Sequence, residues 1–261
     1  EDSDSGKLAV GAAAANKPRR WSVLGFTLIA GALLVAVVIG VAWWLNRPPK
    51  SVPAPVLTRL TSDSGLTTDP ALSPDGKFVA YASDRRGEGN LDLWVQQVAG
   101  GEPIRLTHDP ADDHEPAFSP DGSKVVFSSA RDGGGIYVIS PFGGEAKRIA
   151  EGGHNPRFSP DGKQIVYWTG ERYFATFGEV YVVASTGGAP TLLQTGITSS
   201  RYPIWTPDGE HVLFLGRQRP AMASPAPNDS ADWWVAAVNG GVAVKTGAYQ
   251  AFRGRALDVS V

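Results

Sequence analysis

The side chains with the greatest capacity for chemistry lie close together between residues 108 and 115, in the sequence HDPADDHE. Its carboxylates could bind a hard cation such as Ca²⁺, and its two histidines could bind a transition metal. The spacing matches no calcium-binding loop, however, and a turn-rich connection is expected here. A solvated acidic loop is therefore favoured, and no metal or cofactor is predicted. The residues concerned are Asp109, Asp112, Asp113, His114 and Glu115.

Catalysis would need a nucleophile with an adjacent base, and the sequence offers few of either. There is no cysteine, which excludes thiol nucleophiles, thiolate metal sites and disulfides. No G-x-S-x-G nucleophile elbow occurs. We therefore expect no enzyme activity in this chain. The histidines that could act as general bases are His108, His114, His154 and His211.

A second group of carboxylates recurs along the chain in Ser-Pro-Asp-Gly, found three times, and Thr-Pro-Asp-Gly, found once. Proline presets the backbone of a type I turn, Ser or Thr bonds to it, and glycine takes a positive φ at its end. Turn chemistry therefore explains each aspartate without a ligand. The predicted structural turns contain Pro74, Asp75, Gly76, Pro120, Asp121, Gly122, Pro160, Asp161, Gly162, Pro207, Asp208 and Gly209.

These turns mark an internal repeat whose copies are 46, 40 and 47 residues apart. In each copy the turn is followed by an apolar run, a variable loop, a second apolar run, a Gly-Gly pair and a short last run. Four-stranded units at this period are typical of a β-propeller. We predict an all-β fold with four visible antiparallel blades, at about 66–107, 112–150, 153–194 and 199–246. Residues 56–61 resemble a fourth strand without its blade.

In each copy, one residue stands directly before the proline that leads into the innermost strand, and this position is a candidate for contact with a partner. In a propeller these residues would surround one mouth of the central channel, and loops on a rigid scaffold often carry binding. Three of the four are polar. We predict a partner-binding mouth formed by Asp69, Glu115, Asn155 and Tyr202.

An uncharged run at residues 22–45 precedes the repeat. As a helix it would be about 36 Å long, enough to cross a bilayer, and tryptophans lie at both ends. We predict a juxtamembrane tether at 1–20, a transmembrane helix at 21–45, a Pro-rich spacer at 46–55, the propeller at 56–246, and a tail or start of a further blade at 247–261. A small excess of basic residues before the span favours a cytoplasmic N-terminus.

The charge balance argues against nucleic acid as a partner. The whole chain has a net charge of -2, and from residue 51 onward 23 acidic residues outnumber 18 basic residues. A nucleic-acid-binding surface would require a basic excess. We therefore expect a protein or peptide partner, with any small-molecule ligand unknown.

The repeated P-x-[FW]-[ST]-P-D-G units resemble the TolB-type β-propeller repeat. The second copy illustrates the match with Pro116–Gly122, Ile136–Val138, Gly143-Gly144 and Arg148-Ile149. The resemblance covers about residues 56–246 and implies a ring that is usually six-bladed. It identifies a fold more specifically than a function.

The order of tether, span, spacer and propeller also resembles the C-terminal half of bacterial membrane signalling proteins. This resemblance implies a sensing or interaction module in the inner membrane, single-pass, with an extracytoplasmic propeller. The parent would be a serine/threonine protein kinase, although no kinase motif occurs in this chain. The alternatives are a membrane-bound winged-helix transcription regulator and a TolB-like periplasmic scaffold.

Overall fold

The computed structural model describes residues 23–47, 57–170, 178–193, 195–197, 199–217 and 231–248, with side chains from residue 30 onward. The chain divides into two units, Glu1–Leu57 and Thr58–Val261, which are considered separately. The predicted tether at 1–20, the spacer from residue 48 and the tail from residue 249 lie outside the described residues.

In the first unit, the described residues form one helix, α1, at Val23–Leu45. It ends ahead of two prolines, which cannot continue a helical hydrogen-bond ladder. The guanidinium of Arg47 lies 4.0 Å from the ring centre of Trp43. Within the part of the chain that the structure describes, no helix is both long enough and apolar enough to cross a membrane. The predicted transmembrane helix at 21–45 is therefore not confirmed.

The second unit is built from short strands that form two four-stranded sheets and one eight-stranded sheet, and the eight-stranded sheet contains the third and fourth blades. The first two blades consist of β1 Thr67–Leu72, β2 Phe78–Ser83, β3 Asp92–Gln97, β4 Ile104–Arg105, β5 Asp113–Phe118, β6 Val125–Ser129, β7 Gly135–Ile139 and β8 Lys147–Glu151. The third and fourth consist of β9 His154–Phe158, β10 Gln164–Gly170, β11 Gly178–Ala184, β12 Thr191–Leu192, β13 Ser199–Trp205, β14 His211–Arg217, β15 Ala231–Ala237 and β16 Val244–Lys245.

Within each blade every strand pairs with the next one along the chain. The third and fourth blades are also joined by one parallel pairing, between Gly178 and Ser199. The first strands of successive blades, β1, β5, β9 and β13, contact one another and form the inner row. The prediction of an all-β fold made of antiparallel sheets is confirmed, and the sheets are consistent with a propeller.

Neighbouring blades bury apolar side chains between their faces, and each middle strand uses both of its faces. One face of β6 packs on the first blade and the other on the third, so the whole strand is buried. Strands buried on both faces are continuously apolar, as the sequence shows. The residues that fill the three interfaces from β2, β6, β10 and β14 include Ala80, Ala82, Val125, Phe127, Val126, Ile165, Tyr167, Val166, Trp168, Val212 and Phe214.

The outer face of the first blade is covered by Leu60, which packs on Val79, Tyr81 and Trp94. We expected residues 56–61 to form a strand, and this was wrong for the described residues 57–61, which form none. A strand needs a neighbour to complete its hydrogen-bond ladder, and no described strand pairs with this segment. The segment is held by a side-chain contact instead.

The outer face of the fourth blade is less well covered. Leu213, Leu215, Trp233 and Val235 are only half-buried. In the first blade the equivalent positions of β2 and β3 are fully buried against the second blade. The fourth blade therefore exposes apolar surface that the other blades bury.

Candidate partner-binding site

The four predicted mouth residues occupy equivalent places in the inner row, and we call them the mouth ring: Asp69, Glu115, Asn155 and Tyr202. In every blade the pairing of the inner strand shifts at this residue and the proline after it. Proline has no N–H to give to the ladder, so a β-bulge is the expected result. The bulge frees the mouth-ring residue from pairing with the neighbouring strand.

All four residues have a left-handed backbone, with φ of 53°, 58°, 53° and 51° in chain order. Among the described residues, Asp132 is the only other non-glycine residue with a positive φ. Such conformations cost on the order of 1–3 kcal/mol each and persist where the surrounding structure enforces them. The fold therefore imposes one backbone shape on four different side chains.

Side chains of the mouth ring link one blade to the next. The backbone N–H of Glu115 donates to Asp69 Oδ2 at 3.4 Å. The backbone N–H of Asn155 in turn donates to Glu115 Oε2 at 2.6 Å. Each carboxylate thus satisfies an N–H that the bulge in the following blade leaves without a ladder partner.

Glu115 is the buried centre of this linkage, with 6% of its surface exposed. Its Oε2 also accepts a hydrogen bond from Ser128 Oγ at 3.1 Å. Two histidine Nδ1 atoms face the same oxygen, His114 at 3.7 Å and His154 at 4.0 Å. Burial lowers the pKa of the nearby Arg157, while the charges of Glu115 and Asp69 oppose that shift. Arg157 therefore lies close enough to Glu115 and Asp69 to interact with both of their negative charges.

The ring becomes aromatic towards the fourth blade. Tyr202 is 41% exposed, and its ring lies 5.8 Å from that of Trp168. The ring of His154 lies 5.0 Å from that of Trp168, and the Arg201 guanidinium lies 5.2 Å from the same Trp168 ring. The mouth ring thus offers the carboxylate of Asp69 in the first blade and, in the fourth blade, the exposed phenol of Tyr202, which contacts Trp168.

The structure also brings in residues that the sequence analysis did not select, namely Arg157, Trp168 and Arg201. Trp168 occupies a strand position where the first two blades have Ala82 and Ser128. This departure from the repeat was a signal available in the sequence. Arg157 departs from the repeat in the same way, because the other blades have Ala71, Ala117 and Ile204 at its position, whereas Arg201 had no comparable signal.

In each blade the predicted turn residues connect the first strand to the second, as between β1 and β2 in the first blade. In the first blade Ser73 Oγ donates to Asp75 Oδ1 at 2.7 Å and accepts from the N–H of Phe78 at 2.9 Å. The other three turns repeat both bonds. The four terminal glycines have φ between 70° and 72°.

Hydrogen bonds from the turn stabilise the charged form of each aspartate. Those from Ser73, Ser119 and Thr206 lead the effects that lower the pKa of Asp75, Asp121 and Asp208 to about 2. Ser159 lowers the pKa of Asp161 in the same way. These carboxylates are therefore ionised at neutral pH and already engaged with their own turns.

The acidic stretch at 108–115 does not form a common site. We expected a connection between blades, but Asp113, His114 and Glu115 belong to strand β5. Asp112 accepts from the N–H of Leu91, and Asp113 pairs with Arg131. Among the described residues, only Asp208, Glu210 and His211 have metal-ligand spacing, and Asp208 is engaged in its turn.

A family model described as the TolB beta propeller domain matches residues 56–222. No curated protein matches the sequence at a significant level.

Solved structures share the fold at low sequence identity. TolB from Acinetobacter baumannii is 20% identical with a TM-score of 0.57, over 71% of this chain and 44% of that protein. A putative TolB from Agrobacterium tumefaciens is 23% identical with a TM-score of 0.56, over 70% of this chain and 67% of that protein. Oligogalacturonate lyase from Vibrio parahaemolyticus is 16% identical with a TM-score of 0.54, over 72% and 55%.

The chain spans less than half the length of the Acinetobacter TolB. The family model, by contrast, covers more than half of this chain, including all of the first three blades and all of the inner row. The four-strand units, the shared turns and this match lead to one conclusion: the chain belongs to the TolB-type β-propeller family.

Proposed function

We propose that this propeller is a protein-interaction module and that the mouth ring is its contact surface for a protein or peptide. One observation carries the proposal. Four equivalent residues share a strained left-handed backbone, yet their side chains are an aspartate, a glutamate, an asparagine and a tyrosine. Strained backbone that the surrounding structure enforces is concentrated at binding sites.

The chemistry of the ring suits a polypeptide segment with both polar and apolar groups. The half-buried Asp69 and Asn155 offer hydrogen-bonding groups, while Tyr202 offers an exposed aromatic surface. Tyrosine contributes much contact area at little cost in side-chain entropy and is enriched at interfaces. The side chains are also held by contacts between blades, so a partner would meet a preorganised surface.

Binding rather than catalysis is proposed because the buried carboxylate of the mouth ring is already occupied. Glu115 accepts hydrogen bonds from Asn155 and Ser128 and is almost fully buried. A general base must reach a substrate proton directly or through one water. The mouth ring is thus better suited to recognition than to proton transfer.

Site-specific photo-crosslinking tests the contact surface. A photoreactive amino acid in place of Tyr202 in the full chain, expressed in bacterial membranes, should give discrete protein adducts. The matched control places the same amino acid at Val242, which is 88% exposed in the same blade but beside a Gly-Gly hairpin. Adducts of the same pattern from both positions, or from Val242 alone, would contradict the proposal.

We further propose that residues 22–45 anchor the chain in a bacterial inner membrane with the propeller on the extracytoplasmic side. The support is the uncharged sequence of this run and the exposed apolar side chains of α1, including Leu34, Val37 and Trp44. The chain should remain in the membrane pellet after alkaline extraction, and Val37→Lys with Leu34→Lys should release it. Leu57→Lys, at a 96% exposed position outside the helix, is the control that should not. Release of the unaltered chain would overturn the anchor.

We propose that this chain is the C-terminal part of a bacterial signalling protein, and that the N-terminal part is a serine/threonine protein kinase. A membrane-bound winged-helix regulator and a TolB-like periplasmic scaffold are the alternatives. The proposal rests on the resemblance of the domain order alone. The upstream reading frame distinguishes them: a glycine-rich loop and a catalytic aspartate indicate the kinase, and a basic recognition helix indicates the regulator.

A further inference from the structure

A groove of about 560 Å³ lies between the first and second blades, at the edge that carries the Ser-Pro-Asp-Gly turns. It is separate from the mouth ring and shares no residue with it. Aromatic and proline rings make up most of its walls, and two turn aspartates lie along it. The rings belong to Phe78, Phe118, Phe142, Pro74, Pro120 and Pro141.

Two of these aromatic residues break the repeat. Phe142 is in the hairpin that ends in Gly143, where the other three blades have an alanine, a threonine and an asparagine, and it is 75% exposed. Phe78 stands where the other blades have a lysine, a glutamine and a histidine. The two rings meet edge to face across the two blades, with centres 6.3 Å apart. Turn geometry does not require either residue, because the other blades form the same turns without them.

The backbone around the groove is already hydrogen-bonded within its own turns. The N–H groups of Gly76 and Gly122 donate to Ser73 and Ser119, and that of Phe142 donates to Ser140 Oγ. Such a groove offers no free strand edge to which a peptide could add as another strand. Recognition must come from side-chain surfaces, which suits a polyproline II ligand with little backbone pairing of its own.

A negative charge borders the aromatic walls. Asp75 has an ion-pair partner in Lys77, at 3.1 Å. Asp121 accepts hydrogen bonds from Ser119 and Ser123. It forms no ion pair with any residue that the structure describes. Its pKa of about 2 keeps it charged at neutral pH. A cationic side chain on a ligand would be attracted to Asp121 and could also stack on the face of Phe142.

We propose that this groove binds an extended, proline-rich peptide that carries a basic residue, as a second interaction surface independent of the mouth ring. Proline rings of the ligand would pack against Phe78 and Phe142, and its arginine or lysine would pair with Asp121. Polyproline ligands bind aromatic-lined grooves in this way because they lose little conformational entropy on binding.

Fluorescence anisotropy with the full chain in detergent tests the proposal. The probe is a labelled oligoproline peptide that carries one arginine, and we expect saturable binding. Phe142→Ala should weaken it at least tenfold, whereas Thr186→Ala, at the equivalent hairpin position of the third blade, should leave it unchanged. Asp121→Asn should weaken binding and reduce its dependence on salt. Asp161→Asn, in the third-blade turn, controls for the change in turn chemistry.

Three results would overturn the proposal. The first is no saturable binding to the unaltered chain. The second is equal binding by Phe142→Ala and Thr186→Ala. The third is self-association of the chain that Phe142→Ala abolishes while the peptide does not compete, which would assign the groove to a second copy. Tighter binding of an oligoproline without arginine would contradict the role of Asp121.

Discussion

The turns and the mouth ring are both repeated four times, but they repeat different things. The turns repeat side chains as well as backbone: Ser or Thr bonds to Asp and to the chain five residues on, in every blade. The mouth ring repeats the backbone alone, with φ near 50–60° under four different side chains. Identical chemistry in each blade indicates a structural task, whereas varied chemistry on a constant backbone indicates a surface for recognition.

The comparison predicts unequal effects within the mouth ring. Glu115→Ala should have the largest effect, because it removes the buried acceptor of the Asn155 N–H, whereas the Ser128 hydroxyl can still donate to the carbonyl of Gly153. We expect a loss of about 3 kcal/mol in the free energy of unfolding, measured by chemical denaturation of the full chain. Asp69→Ala should lose far less, because the Asp69 carboxylate is only half-buried and its hydrogen bond from the Glu115 N–H is long. Equal losses would contradict this assignment.

Within the turns, by contrast, the effects should be uniform. Ser73→Ala, Ser119→Ala and Ser159→Ala each remove the same two hydrogen bonds and should each cost about 1 kcal/mol. Ser119→Thr is the control and should retain stability, because Thr206 makes the same bonds in the fourth blade. A wide spread among the three alanine variants would show that the turns are not equivalent.

Acid should weaken the turns. The turn aspartates have a folded-state pKa of about 2, below the ordinary 3.8. Their stabilisation is therefore complete above about pH 4 and is lost as the pH falls towards 2. Denaturation curves recorded across this range should show the loss, and Asp121→Asn should reduce it. An unchanged slope in that variant would contradict the assigned role.

The smallest effect on stability is expected for an exchange between ring positions. Tyr202→Asn introduces the residue type of the third blade at the fourth, and asparagine tolerates a left-handed backbone. Unfolding should change by less than about 1 kcal/mol, since only an exposed aromatic contact is lost. Crosslinking to a partner from a photoreactive residue at Asp69 should nevertheless fall. A large loss of stability would mean that Tyr202 is structural.

The sequence was most informative where structure depends on neighbouring residues. Each Ser-Pro-Asp-Gly turn contains its own hydrogen-bonding groups, so residue types were sufficient to predict it. The bulges and the left-handed φ of the mouth ring were not predicted, because they arise from strand pairing. The contacts of Glu115 with Asn155 and of Tyr202 with Trp168 cross from blade to blade. Such contacts join residues that are far apart in the sequence, so local residue patterns cannot predict them. The same holds for residues 57–61, where a strand was predicted from the local pattern and none forms.

The half-buried outer face of the fourth blade has a consequence for how the molecule opens. A sheet in a row of similar units is stabilised largely by the units on either side of it. The second blade packs against a neighbouring blade on both of its faces. In the fourth blade, one face is only half-buried, at Leu213, Leu215, Trp233 and Val235. Amide protons of β14 and β15 should therefore exchange with solvent sooner than those of β6 and β7, so that fraying begins at the fourth blade and travels inward.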